Sequence, residues 1–81
     1  MNDKPFDIPV RVLLEPDNVR SVTSTLEAAE NLTNVRWPGE RDAKHRDAVE
    51  TCLKVLDGHR STVDARNAFV EAARAAGILV E

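Results

Sequence analysis

The sequence predicts a small α+β domain, in which an antiparallel β-hairpin sheet packs against three α-helices. Apolar and polar residues alternate with a period of two near the start of the chain, as in a strand with one buried face. Two later segments repeat their apolar residues at helical spacing. Serine caps and glycines stand at the ends of the predicted helices. The element order is therefore β-β-α-α-α, with or without a short C-terminal strand.

The first strand is predicted from five apolar residues at alternate positions, which are Phe6, Ile8, Val10, Val12 and Leu14. Pro9 has no N–H group, so it favours an edge strand or a ladder position whose donor would point outward. Residues 15–18 (Glu-Pro-Asp-Asn) have the chemistry of a turn, because proline presets φ and Asp or Asn tolerates the next step. Residues 19–22 are then the returning strand of a hairpin.

The first helix is predicted to begin after Ser24, because Ser24 and Glu27 have the spacing of a capping box. It should extend to about Val35 and turn three side chains towards the core, namely Leu26, Ala29 and Leu32. Residues 37–39 (Trp-Pro-Gly) end the helix, since proline disfavours helical geometry at the preceding residue and glycine permits a bend.

The second helix is predicted over residues 40–57, and Gly58 fits its C-terminal cap. Its buried stripe is His45, Ala48, Val49, Cys52, Leu53 and Leu56. Ser61 caps the third helix, whose stripe contains one large residue among alanines. That stripe is Ala65, Ala68, Phe69, Ala72, Ala73 and Ala76. Gly77 ends this helix with a Schellman-type cap, and residues 78–80 form either a third strand or an apolar tail on the core.

A single domain over residues 6–81 accounts for these elements, and residues 1–5 are predicted to be a disordered or loosely held N-terminus. A chain of 81 residues is close to the size at which one core is just sufficient for stability. The apolar face of the first strand is expected to pack against six side chains from the helices, namely Leu26, Leu32, Val49, Leu53, Leu56 and Phe69.

The composition excludes several classes of function. The net charge of −3 and the pI near 5.3 argue against a chain built mainly to neutralise phosphates. Cys52 is the single cysteine, which excludes an internal disulfide and a four-cysteine zinc site. The first ten residues lack a secretory signal, and no apolar run approaches the roughly 20 residues that span a bilayer. We therefore expect a cytoplasmic protein that does not engage a membrane.

Several segments together resemble one family. They are Trp37-Pro38-Gly39, His45 with Ala48 and Cys52, Gly58, residues 64–78 (DARNAFVEAARAAGI) and the S-x-x-E-A start of the first helix at residues 24–28. In this order they resemble the short alphaproteobacterial family known as domain of unknown function nine-eighty-two, over about residues 6–80. The resemblance implies a stand-alone small α+β protein with no assigned activity, and it carries over no catalytic or binding residue.

His45 and Cys52 are the first candidates for chemistry. They lie seven residues apart, which is about 10 Å along a helix, whereas a nucleophile and its base must approach to about 3 Å. We therefore interpret Cys52 as a small hydrophobe and His45 as a core histidine with one backbone hydrogen bond. A pH-sensing or ligand-binding His45 is the alternative. His59 adds no metal-ligand spacing, so neither a metal nor a cofactor is predicted.

The best indication of nucleic-acid binding is a cluster of cations around the single tryptophan, formed by Arg36, Trp37, Arg41, Lys44 and Arg46. Acidic residues are interleaved with it, and Asp42 and Arg46 have the acid-first i,i+4 spacing of a solvated helix face. We expect Trp37 to cover the end of the core, with an exposed ring in an interface as the alternative.

No catalytic template fits the sequence, which has neither a glycine-rich phosphate loop nor a G-x-S-x-G elbow. We therefore expect a non-enzymatic module for protein interaction or regulation, acting on an unknown protein partner. Weak nucleic-acid binding through residues 36–46 is the less favoured alternative. A homodimer is a further hypothesis, since Leu13 and Val80 could leave apolar strand surface uncovered in so small a sheet.

Overall fold

A three-stranded antiparallel sheet and three helices form the fold, as seen in a computed structural model that describes residues 3–15, 17–39 and 41–80. The strands are β1 (Pro5–Glu15), β2 (Asn18–Ser24) and β3 (Leu79–Val80), and the helices are α1 (Thr25–Thr33), α2 (Ala43–Leu56) and α3 (Thr62–Ala75). The element order β-β-α-α-α-β confirms the predicted α+β class. It also settles the C-terminal segment as a third strand.

The sheet has the strand order β2-β1-β3, so β1 is the central strand. Arg11 is opposite Val80, and the N–H of Leu13 donates to the carbonyl oxygen of Ile78 at 2.8 Å. Of the two positions that Pro9 favoured, the edge strand is therefore excluded. Pro9 instead lies where the pairing of β1 with β2 is interrupted, between Pro5 and Val10. Its missing N–H falls outside the regular ladder.

This interruption also changes which side chains face the core. Between the pairs Pro5–Ser24 and Val10–Val22, β1 has more residues than β2, and such an irregularity breaks the alternation of faces. Ile8 was predicted to be buried but is 65% exposed, whereas Phe6, Val10 and Val12 are buried. The carbonyl oxygen of Ile8 accepts a hydrogen bond from Nε of Arg66 on α3 at 2.8 Å.

Helix α1 begins as predicted but is shorter and rotated. The Ser24 hydroxyl accepts from the N–H of Glu27 at 3.2 Å, while the Glu27 carboxylate accepts from Thr23 and not from Ser24. The helix ends at Thr33, before Val35. Its buried residues are Thr25, Ala28, Asn31 and Leu32. The prediction that Leu26 faces inward was wrong, since its side chain is exposed.

The segment that precedes β1 is attached to the start of α1. The carbonyl oxygen of Lys4 accepts from both the N–H and the hydroxyl of Thr25, each at about 2.8–2.9 Å. Asp3 accepts from the N–H of Leu26 at 2.9 Å. Residues 3–5 of the predicted loose N-terminus are therefore hydrogen-bonded or part of β1, and residues 1 and 2 lie outside the described residues.

Helix α2 begins at Ala43, where the Asp42 carboxylate caps it by accepting from the N–H of His45 at 3.1 Å. The predicted start at residue 40 lies outside the described residues. The buried residues of α2 are His45, Ala48, Thr51, Cys52, Val55 and Leu56. Leu53 was predicted to be in the core and is exposed, and Val49 is only partly buried. Because α2 packs between α1 and α3, its buried face is centred on Ala48 and Cys52.

Helix α3 closes the core with Phe69, whose side chain is completely buried. Ser61 and Asp64 form a full capping box at its start. At its end, Gly77 has a φ of +75°, and the N–H of Ile78 donates to the carbonyl oxygen of Ala73 at 3.0 Å. This geometry confirms the predicted Schellman cap. None of the helices in the described part of the chain has the length and apolar character needed to cross a bilayer.

Candidate functional site

The connection between α1 and α2 places Trp37 over the end of the core. Its side chain is only 5% exposed. The indole ring centroid lies 5.8 Å from that of Phe69 and 6.0 Å from that of His45, with interplanar angles of 57° and 59°. Such tilted contacts are favourable aromatic geometries. The expected covering role of Trp37 is therefore observed, and the ring offers no open face on which a base could stack.

His45 is held by the end of α1. Its Nε2 lies 2.6 Å from the carbonyl oxygen of Leu32, and because a carbonyl oxygen only accepts, Nε2 is the donor. The residue is buried and packs against Trp37. This arrangement is the core histidine with one backbone hydrogen bond that the sequence suggested. It stabilises the joint between the helices and leaves Nε2 unable to act as a base.

Arg41 has a structural role at the same joint. Its Nη1 donates to the carbonyl oxygen of Leu32 at 2.8 Å, and its Nη2 donates to that of Asn34 at 2.9 Å. These carbonyls belong to the end of α1, which has no basic residue in its last turn. A cation there satisfies carbonyl groups without intrahelical partners and interacts favourably with the helix dipole. The guanidinium of Arg41 is therefore engaged by protein backbone.

The remaining predicted cations are not gathered at one place. Lys44 and Arg46 are exposed on α2. Lys44 lines a shallow groove between α2 and α3 that also contains acidic side chains, among them Asp47, Asp64 and Glu71. Arg36 lines a different cavity, together with Trp37. The structure therefore places Arg36 and Lys44 at different sites, which weighs against the predicted patch acting as one polyanion-binding surface.

Cys52 is shielded from reagents. Its side chain has no exposed surface, and burial raises the pKa of the Cys52 thiol to about 11. A thiol that stays protonated is a poor nucleophile and a poor metal ligand. Among the residues that the structure describes, no three His, Cys, Asp or Glu side chains are grouped in a way that could hold a metal ion.

A polar cavity of about 140 Å³ lies between the hairpin and the joint of α1 and α2. Its lining residues are Leu14, Asn18, Arg20, Asn31, Asn34, Arg36 and Trp37. Arg20 is opposite Val12 on β1 and shares the inner face of the sheet with Val22. Helix α1 follows β2 directly and runs back over it, so Asn31 and Asn34 come close to this end of β2. Two guanidinium groups and three amides therefore surround one space.

Some polar groups of the lining residues already have hydrogen-bond partners, and others have none among the described residues. Nδ2 of Asn31 donates to the carbonyl oxygen of Glu27 at 2.7 Å, and Oδ1 of Asn34 accepts from the N–H of Arg36 at 2.9 Å. In the described part of the chain, the side chains of Arg20 and Asn18 have neither a hydrogen-bond nor an ion-pair partner. Arg36 makes a further interaction of its own. Arg20 is thus the cation with unused donors.

The sequence interpretation included Arg36 and Trp37 but missed the other polar residues of this cavity. One signal was present. Arg20 is two positions before Val22 on an alternating strand, which assigns both side chains to the same face. In the same way, Asn31 lies between Ala28 and Leu32 on the buried face of α1. Polar residues on an apolar face can therefore indicate a cavity.

A family model matches residues 8–80, which is nearly the whole chain. The chain belongs to the family described as Protein of unknown function (DUF982). This confirms the resemblance drawn from the tryptophan triplet and the alanine-rich third helix, whereas the alphaproteobacterial origin stays a prediction. The DUF982 description assigns no activity. No curated protein and no solved structure matches the chain significantly.

Proposed function

We propose that this DUF982 protein is a non-enzymatic interaction module that binds another protein through the outer face of its sheet. The observation that supports this proposal is an apolar pair beside an unpaired cation on the face without helices. Leu13 and Val19 are directly opposite each other on β1 and β2 and are 38% and 48% exposed. Arg11, two residues from Leu13 on the same face, has no hydrogen-bond or ion-pair partner among the described residues.

The register of the sheet fixes the composition of this outer face. Arg11 is opposite Ser21 on β2 and Val80 on β3, so it lies in the middle of the face. Val12, which points to the other side, is completely buried under the helices. The surface therefore presents the apolar pair of Leu13 and Val19 beside a guanidinium, which lies between Ser21 and Val80. A complementary protein surface would place apolar side chains around a carboxylate.

Exposed apolar side chains on the first two helices, Leu26 and Leu53, lie apart from each other, and single apolar residues are normal on protein surfaces. Ile8 and Val63 are also exposed, and they line a groove between β1 and α3. Leu13 and Val19 differ because directly opposed cross-strand side chains have Cβ atoms only about 4.5–5.5 Å apart. Together they form a continuous apolar area that a partner could bury.

The chemistry of the remaining side chains favours binding over catalysis. The nucleophile and the base that the sequence offers, Cys52 and His45, are both buried in the core. We also infer that the partner is a different protein. A symmetric dimer centred on this face would set two Arg11 guanidinium groups against each other, and like charges in an interface cost binding free energy. The homodimer stays the alternative, and light scattering of the purified chain tests it.

Site-specific photo-crosslinking in the native cell tests the proposed face. A photoreactive phenylalanine analogue replaces Leu13 in one variant and Leu53, an exposed residue on α2, in the control. We expect position 13 to capture one protein species that position 53 does not. Adding the Arg11→Glu change should remove that species while the melting temperature is retained. Equal capture from both positions, or none from position 13, would contradict the proposal.

A further inference from the structure

We propose that the cavity lined by Arg20 and Arg36 binds a small oxyanion, either a phosphate-type group or a carboxylate. This site is separate from the outer face of the sheet, because Arg20 lies on the face that the helices cover. Anion binding in the cavity therefore does not depend on whether the outer face of the sheet binds a protein. Three observations carry it, and they concern charge, unused hydrogen-bond donors and size.

The described lining residues of the cavity carry positive charge. Arg20 and Arg36 are the ionisable residues among them, and none of these described residues has a carboxylate. The C-terminal end of α1, near Asn31 and Asn34, contributes a partial negative charge of about half a unit. Arg41 is bonded to the last carbonyls of that helix and offsets this charge. Arg36 has an interaction of its own, so the guanidinium of Arg20 is the cation at this cavity that has no charge partner among the described residues.

The donors of the cavity are arranged for an acceptor-rich ligand. The guanidinium of Arg20 has five N–H donors in a planar fork, and none of them is bonded to a described residue. Asn34 uses its Oδ1 to accept from a backbone N–H, which leaves the Nδ2 group as a donor beside the guanidinium. Planar guanidinium groups bind carboxylate and phosphate oxygens through two parallel hydrogen bonds. An oxyanion matches this set of donors better than a cation or an apolar molecule.

The size of the cavity limits the ligand. Its volume of about 140 Å³ is close to that of an engineered protein cavity of about 150 Å³ that holds a benzene molecule. Sites for drug-sized ligands are larger, typically about 300–1,000 Å³. Inorganic phosphate, a carboxylate or the end of a longer anionic molecule would fit. A nucleotide would have to leave most of its atoms outside.

Titration of the ¹⁵N-labelled protein, followed by two-dimensional NMR at constant ionic strength, tests the site. Inorganic phosphate and acetate are the two probes, and sodium chloride is the reference. We expect saturable shifts for the side-chain amides of Asn18, Asn31 and Asn34 and for the Nε–H of Arg20. Saturation with phosphate alone assigns a tetrahedral anion, and saturation with acetate alone assigns a carboxylate. Absence of saturation with both probes overturns the proposal.

Matched variants connect the binding to the cavity. Arg20→Gln should lower the affinity for the anion about tenfold or more, because it removes charge-assisted hydrogen bonds that contribute about 1.5 kcal/mol or more. Arg20 and Arg46 are both exposed, but Arg46 lies outside the cavity lining. Arg46→Gln should therefore change the affinity less than about twofold, because it removes no hydrogen bond to an anion in the cavity. Equal weakening in both variants would show a general charge effect and refute the assigned site. If Arg20→Gln disturbs the fold, Asn18→Ala replaces it, with the same expected loss of binding.

Discussion

The joint between α1 and α2 should lose much of its stability when the guanidinium of Arg41 is removed. Arg41→Met keeps the aliphatic stem but deletes the donors to the carbonyl oxygens of Leu32 and Asn34. A hydrogen bond to a charged group contributes about 1.5–3 kcal/mol. Both carbonyls keep a second donor, from His45 Nε2 and from the N–H of Trp37, and solvent screens a partly exposed cation.

We therefore expect the low end of that range for the pair of bonds, about 1.5–2 kcal/mol of unfolding free energy. For a domain of this size that corresponds to a decrease in melting temperature of roughly 6–16 °C. Urea unfolding followed by tryptophan fluorescence measures it, because Trp37 is the single tryptophan and lies at this joint. Arg46→Met is the matched control and should change stability by less than about 0.5 kcal/mol. If the two variants are equally stable, Arg41 does not hold the joint.

Three further predictions concern the core, the buried thiol and a helix cap. Phe69→Ala should lower the free energy of unfolding by about 3–5 kcal/mol, because it removes buried surface and leaves a cavity. Lys44→Ala should lower it by less than about 0.5 kcal/mol. If urea unfolding shows similar small losses for both variants, α3 does not close the core. Because burial raises the pKa of the Cys52 thiol from 9.0 to about 11, the unfolded chain releases this proton first as the pH rises. The free energy of unfolding should therefore fall between pH 9 and pH 11, by up to roughly 3 kcal/mol. Cys52→Ala should lack this part of the pH dependence, and parallel pH profiles of the two proteins would contradict the shift. The pKa of Asp64 is lowered, chiefly because its carboxylate accepts a hydrogen bond from the backbone N–H of Ser61. Further hydrogen bonds and the charge of Arg60 act in the same direction, and together they outweigh desolvation. The contribution of the Asp64 carboxylate to the stability of the fold should therefore be lost below about pH 3.8. Asp64→Asn should then show a smaller decrease in melting temperature than the wild type between pH 5 and pH 2.5, and an equal decrease would count against the cap.

Local chemistry made much of the fold predictable. The helix caps depend on hydrogen bonds between residues only a few positions apart, so their patterns can be recognised in the sequence. These caps are formed by Ser24, by Ser61 with Asp64, and by Gly77. The burial of Trp37 could also be predicted, because a small domain with few aromatic residues tends to use its tryptophan in the core.

The errors arose where distant segments decide which face is buried. Helical spacing alone allowed Leu26 and Leu53 to face inward, but the packing of α2 against both other helices and the hydrogen bonds of Thr25 to Lys4 selected other faces. Similarly, the exposure of Ile8 follows from an irregular register in β1 that no neighbouring residue reveals. Periodicity identifies a stripe and tertiary contacts then set its orientation.

The candidate site was only partly predictable for a related reason. Arg36 and Trp37 stood in a conspicuous cluster of the sequence, but Arg20 is sixteen residues before the nearer of them, in a different element. The cavity exists because α1 runs back over β2, and that return is a property of the whole fold. Two polar residues on otherwise apolar faces, Arg20 on β2 and Asn31 on α1, were the features that pointed to it.

The pairing of β3 with the central strand has a kinetic consequence. Arg11 and Val80 come from nearly opposite ends of the described chain, so closing this pair requires an entropic cost that grows with the length of the intervening segment. We expect the hairpin and the helices to assemble first and β3 to dock last. The amide of Leu13, which donates to Ile78, should then acquire protection from deuterium exchange later than the amides of α2 in a pulse-labelling experiment.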